Sequence, residues 1–157
     1  MKLTRILVPI DFSVPARKAL DYAVELARPF KAQLVVLHVV EPIYYAAPDL
    51  SATAATTVDL IDVQRRSARK ELARLQARYA KRDVALRGLV QVGTPFQEIT
   101  STAKTVRASL ICMATHGRSG VLHLLLGSVA ERVVRFAECP VLTIRVPAPG
   151  KAKRTKK

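Results

Sequence analysis

Residues 33–40 read QLVVLHVV. Seven of the eight are Gln or aliphatic, four are β-branched or leucine in unbroken succession, and no polar residue alternates with the apolar ones. A strand with one face in water alternates apolar and polar positions. A continuous apolar run of this length suits a strand covered on both faces, which is the situation of a parallel sheet in an α/β protein.

The neighbouring segments fit that reading. Residues 3–9, LTRILVP, read as a buried strand ended by Pro9. Residues 14–29 carry Leu20, Val24 and Ala27 at helical spacing, with Ser13 as N-cap and Pro15 in the first turn. Residues 41–55 hold two prolines and no clear period, so a loop is expected there. From about 56 to 82 the pattern predicts a long amphipathic helix with Leu60, Ala68, Leu72, Leu75 and Tyr79 on its apolar stripe. A third strand is expected over 84–92, with Gly93 turning the chain. Thr94 to Gln97 matches a capping box with Pro95 at the first helical position, opening a helix to about Val106. A fourth strand over 109–114, a helix over 128–137 and a fifth strand over 140–146 complete the chain. Strict alternation of strand and helix predicts one open parallel sheet with helices on both faces and right-handed crossovers.

Bulk properties narrow the function classes. The 157 residues suffice for one domain with a substantial core. No apolar run approaches the roughly 20 residues of a membrane span. The start MKLTRILVPID lacks the apolar region and cleavage site of a signal peptide, so the cytoplasm is the expected location. Cys112 and Cys139 form no metal-ligand pattern and read as buried, reduced thiols. The net charge is +14. Residues 147–157, PAPGKAKRTKK, are expected to form a disordered basic tail after a domain spanning 1–146, and residues 64–82 are basic as well. No nucleic-acid-binding motif accompanies these charges, so specific nucleic-acid binding is not expected, only nonspecific anion contacts through the tail.

Open α/β sheets bind ligands beyond the carboxyl ends of their strands, where strand order reverses. Two such loops stand out: Pro9-Ile10-Asp11, and ATHGRSGVLHLLLGSVAE over 114–131. If the first and fourth strands are neighbours, both open onto one crevice. Small residues at 114–117 let backbone amides approach a phosphate, and Gly127-Ser128 opens the last helix, whose start suits an anion. The same residues have plainer readings: Ser128 as an N-cap, Gly127 as a turn residue, Asp11 as a turn or cap residue. His116 reads as a loop residue beside a phosphate rather than an acid or base, and Arg118 either reaches a phosphate or is solvated. His38 and His123, within apolar runs, read as packing or surface residues. No catalytic group and no protein metal site is expected.

These residues resemble the nucleotide-binding branch of the universal stress protein family. The likeness covers KLTRILVPIDFS, LVVLHVVEP, MATHGRSGVLHLLLGSVAERVV and CPVLTIRV. In that branch a glycine, two residues, a glycine, nine residues, a glycine and a small hydroxyl residue follow one another. Gly117, Gly127 and Ser128 match, and Ala114 replaces the first glycine. The resemblance implies a Rossmann-like, adenine nucleotide alpha hydrolase-like sheet of order 3-2-1-4-5. It implies ATP in the crevice, with Mg or Mn allowed on its phosphates, and a homodimer through the last strand, residues 141–146. By position, Pro9, Ile10 and Val39 would line the adenine pocket, and Asp11 would bond the adenine or ribose side. Met113, Ala114 and His116 would border ribose and phosphates. Gly117, Gly127, Ser128 and Val129 would hold the phosphates. The expected role is a nucleotide-dependent regulatory protein of the stress response with little or no turnover. The alternatives are a slow ATPase, or a dimeric interaction or anion-binding module that has lost ATP.

Overall fold

The computed structural model describes residues 2–42, 50–82, 84–115 and 126–146, with side chains of the second segment described from 59 onward. His116, Gly117, Arg118, Gly120, His123 and the 147–157 tail lie outside the described residues. Among the described residues five strands and four α-helices alternate: β1 (Arg5–Pro9), α1 (Val14–Phe30), β2 (Gln33–Val40), α2 (Leu50–Tyr79), β3 (Leu86–Val92), α3 (Pro95–Thr105), β4 (Leu110–Ala114), α4 (Ser128–Phe136) and β5 (Val141–Ile144). All pairings are parallel, in the order β3-β2-β1-β4-β5. The expected strand order is therefore the observed one.

Side-chain alternation along the strands divides the core in two. Ile6, Val8, Leu34, Val36 and Cys112 face α1 and α2, while Leu7, Val35, Leu37, Ile111 and Met113 face α3 and α4. Covered on both sides, β1, β2 and β4 have no polar face to offer, which accounts for their unbroken apolar sequences.

Local chemistry sets the helix ends. Ser13 caps α1, its Oγ accepting from Ala16 N–H at 3.3 Å. Thr94 is the N-cap of α3, but its side chain makes no capping bond, so the expected capping box is incomplete. Gly93 before it has φ +152, and a side chain there would stand 2.6 Å from Glu98 Oε1. Glycine is required at that turn.

The structure corrects several boundaries. The segment expected to be a loop over 41–55 is helical from Leu50; residues 43–49 lie outside the described ones. Residues 50–55 are mostly Ser, Ala and Thr, so they form helix without an apolar stripe to announce it. Residues 80–82 form a short 3-10 turn instead of continuing the helix. The last strand is four residues, Val141–Ile144, shorter than the expected 140–146. Cys112 is buried and its Sγ donates to Ala19 O at 3.7 Å, with burial pushing the thiol up to about 11. Cys139 is only half-buried, and burial raises its thiol too.

Helix α2 buries Ala68, Leu72, Leu75 and Tyr79, all from its second half. Tyr79 is almost wholly enclosed, and its phenol donates to Asp21 Oδ1 of α1 at 2.7 Å. Burial, then the bond to Asp21 and its negative charge, push the Tyr79 hydroxyl up to about 12, against Arg78 and Arg82. Its ordinary value is near 10. Below that value the phenol is neutral in folded and unfolded chains alike, and this contact contributes fully. Between about 10 and 12 the unfolded chain loses its proton first, so stability falls as pH rises. Denaturant unfolding at stepped alkaline pH should show this fall in the wild type and a shallower one in Tyr79→Phe. Identical slopes would exclude Tyr79 as the source.

Candidate functional site

The site begins with a missing hydrogen-bond donor. Successive residues of a strand direct their N–H groups to opposite neighbours. Ile10 N–H donates to Leu37 O of β2 at 2.8 Å, so the corresponding position of Pro9 faces β4, where proline has nothing to donate. β1 and β4 pair in register only at Ile6–Leu110 and Leu7–Ile111. Beyond that point a crevice opens between them, at the place where strand order reverses.

The chain leaving β1 is braced against β2. Ile10 O accepts from His38 Nδ1 at 2.8 Å, which fixes the proton on that nitrogen, since a carbonyl can only accept. Phe12 adopts a left-handed φ of +62, and its ring lies 4.6 Å from that of His38. Asp11 Oδ1 accepts from Ser13 N–H at 3.0 Å, closing a side-chain turn that leads into α1. The plainer reading of Asp11 is thus part of the truth: it shapes the turn, and it also stands at the crevice.

The opposite wall is tied in the same manner. Thr115 N–H donates to Ile144 O of β5 at 3.1 Å, and Thr115 O accepts from Gly127 N–H at 2.7 Å. The second bond brings the start of α4 back to the end of β4. Gly127 is the N-cap and Ser128 the first helical residue, so the alternative of Ser128 as N-cap does not hold. Gly127 has no side chain with which to cap this helix. Gly127 has φ −72 and ψ 154, an extended conformation open to any residue. Its dihedral angles do not demand glycine, which leaves bareness as its property. Ala114 is the last residue of β4 and has no positive φ, so alanine there carries no conformational cost.

Between these walls lies a cleft of about 900 Å³. Of the residues singled out from sequence, Pro9, Ile10, Asp11, Val39, Met113, Ala114, Gly127, Ser128 and Val129 all line it. Sequence reasoning missed others: His38 and Glu41 from the end of β2, Arg17 from α1, and Gln64, Ser67 and Glu71 from α2. The signal for the last three was their spacing along one flank of the apolar stripe. Glu71 is paired with Arg74. A second hollow of about 950 Å³, beside Lys31, Ala80 and Ala85, contains none of the singled-out residues. Among the described residues no three His, Cys, Asp or Glu side chains converge to hold a metal ion.

The chain matches the profile of the universal stress protein family over residues 2–145. It belongs to that family. Its relatives include the universal stress protein YxiE of Bacillus subtilis, 34% identical over 90% of this chain and 98% of the relative. Among solved structures, universal stress protein UspA from Lactobacillus plantarum superposes with a TM-score of 0.83 at 29% identity, covering 92% of this chain and 99% of that one. Two more distant members share the fold at 22% and 23% identity with TM-scores of 0.64 and 0.66. The first is a universal stress protein in complex with cAMP, covering 92% of this chain and 98% of its own. The second, from Arabidopsis thaliana, has AMP bound and covers 92% and 93%. No helix among the described residues is long and apolar enough to cross a membrane.

The bracing of the β1 turn is measurable. His38→Ala should lower the unfolding free energy by about 1–2 kcal/mol, because it removes one hydrogen bond and the face on which Phe12 rests. His38→Asn, which retains a donor near the Nδ1 position, should lose less. Denaturant titration checks both, and an unchanged midpoint in His38→Ala would dismiss the brace.

Proposed function

We propose that this chain binds ATP in the cleft beyond β1 and β4 and acts as a nucleotide-dependent regulatory protein of the stress response, with little or no turnover. The observation that carries the proposal is the start of α4, with a glycine at its N-cap, opening on that cleft. The first N–H groups of a helix have no partner within it, and the helix dipole places positive charge there. A phosphate group supplies what neither a capping side chain nor an extended glycine does. Ser128 is exposed at the same point, and its hydroxyl would add a donor.

The cleft's polarity sorts the ligand. Asp11 and Glu41 line the side formed by β1 and β2, joined by Arg17 of α1 and by Glu71 of α2 in its pair with Arg74, while the α4 start lies across from them. Carboxylates accept from ribose hydroxyls and an adenine amino group but repel phosphate. Ile10, Val39 and Met113 give the apolar surface a base requires. The adenine nucleotides bound by two family members of this fold support the same ligand class. His116, Gly117 and Arg118 would complete the phosphate side. ATP supplies the triphosphate charge; the protein's part is to hold base, sugar and phosphates in one orientation. A Mg or Mn ion would be held by phosphate oxygens and water. The reading extends to a homodimer through the β5 edge, whose outer side has no strand among the described residues, and to a cytoplasmic location.

Calorimetric titration with Mg-ATP tests this. Gly127→Val fits the observed backbone yet places two methyl groups where phosphate must approach. It should weaken binding at least about tenfold while leaving the fold intact. Ala114→Gly should change affinity by less than about threefold, since alanine costs nothing there. No wild-type binding at millimolar Mg-ATP would overturn the proposal. ADP formation above that of Gly127→Val would instead favour the slow ATPase.

A further inference from the structure

We propose that the outward face of α2 is a sequence-independent docking surface for the phosphate backbone of duplex DNA. This surface lies on the side of α2 away from the sheet, meets the cleft only through the Arg74–Glu71 pair, and does not depend on the nucleotide reading.

The four large buried contacts of α2, from Ala68 to Tyr79, fix which side of the helix meets the sheet. On the opposite side stand Arg66, Lys70 and Arg74, with Lys81 in the 3-10 turn that follows, all exposed. Arg69 and Arg78 flank that ridge on its two sides and are exposed as well. Of the acids described on α2, Asp59, Asp62 and Glu71, the last two pair with Arg65 and Arg74. Arg82 reaches Asp21 and Glu25 of α1. Arg66, Arg69, Lys70 and Lys81 have no ion pair among the described residues. The result is a band of positive charge along the outer side of α2, about 12 Å long from Arg66 to Arg74, with successive cations about 6 Å apart along the axis.

The chemistry of this face selects its partner. A helix that binds an acidic membrane uses an apolar face to enter it. Here the apolar stripe is spent on the sheet, and the exposed large apolar residues, Leu60 and Val63, both precede the ridge. Single-stranded nucleic acid is held by stacking on aromatic side chains. Tyr79 is the aromatic residue of this stretch, and it is buried. What remains is charge without stacking or insertion, complementary to a regular phosphate array. The B-form major groove, about 12 Å wide, admits a helix between two phosphate walls, which Arg69 and Arg78 would face from either side. The deep, narrow major groove of A-form RNA does not admit one.

Fluorescence anisotropy with the full chain and a labelled duplex of about 24 base pairs, in two unrelated sequences, tests the proposal over about 50–200 mM salt. The ridge variant is Arg66→Gln, Arg69→Gln and Lys70→Gln, which leaves the Arg74–Glu71 pair intact; glutamine retains helix propensity at these exposed sites. The control is Lys18→Gln, Arg87→Gln and Arg135→Gln, exposed positions on other elements with the same change in net charge. Wild type should bind both sequences equally. The ridge variant should lose at least about tenfold at 100 mM salt, with its log–log salt slope reduced by about 2–3. The control should lose less than about threefold, with thermal melts confirming that both variants fold. Equal losses in the two variants would assign binding to net charge or the basic tail and overturn the proposal. So would no wild-type binding at low salt, equal affinity for duplex RNA, or tighter association with phosphatidylserine vesicles than with DNA.

Discussion

One proline decides where this sheet opens. Pro9 ends β1 on the side facing β4, where it has no N–H to give, while Ile10 immediately after it remains bonded to Leu37 of β2. The chain is thus held on one side and released on the other. The turn that follows carries a left-handed Phe12, a conformation that costs on the order of 1–2 kcal/mol for a residue with a side chain. It is offset by contacts converging on the same few atoms: His38 on Ile10 O, the Phe12–His38 ring contact, and Asp11 on Ser13 N–H. The crevice is therefore a built feature of the central strand and its neighbour.

The far wall depends on the bond from Gly127 N–H to Thr115 O. Ten residues outside the described ones separate these positions along the chain, yet the bond places the start of α4 beside the end of β4. It uses Gly127's own N–H and leaves the next ones of the helix, at the cleft, without a cap from Gly127. A serine or aspartate at position 127 would satisfy those groups internally. A bare, extended glycine leaves them for something else. Electrostatics then divides the cleft into a carboxylate side and a positive helix end, and helix α2 contributes to the first side while turning its cations outward.

Much of this fold is legible in the sequence because two-sided burial erases alternation. QLVVLHVV and SLICMA read as enclosed strands for that reason, and helices of period 3.6 between them leave one architecture. The first residues of α2 were illegible because Ser, Ala and Thr form helix without an apolar stripe. Thr94 shows the limit of motif reading: spacing identifies the cap position, but rotamer geometry decides whether a bond forms. In the site, Pro9, Asp11, Gly127 and Ser128 were legible because they lie where the first strand ends and the last helix begins, at the switch point of the sheet, although each also suits a plain turn or cap. His38 was not, because its role comes from a hydrogen bond to Ile10, 28 residues away in sequence. Gln64, Ser67 and Glu71 were not, because only the docking of α2 on β2 and β3 brings them to the cleft rim.

The most direct measurement is a crystal structure of the chain grown with Mg-ATP. The account predicts the base against Ile10, Val39 and Met113, and phosphate oxygens within hydrogen-bond distance of the N–H groups of Ser128 and Val129. Nucleotide ordered elsewhere on the surface, or an empty cleft at saturating ATP, would contradict it.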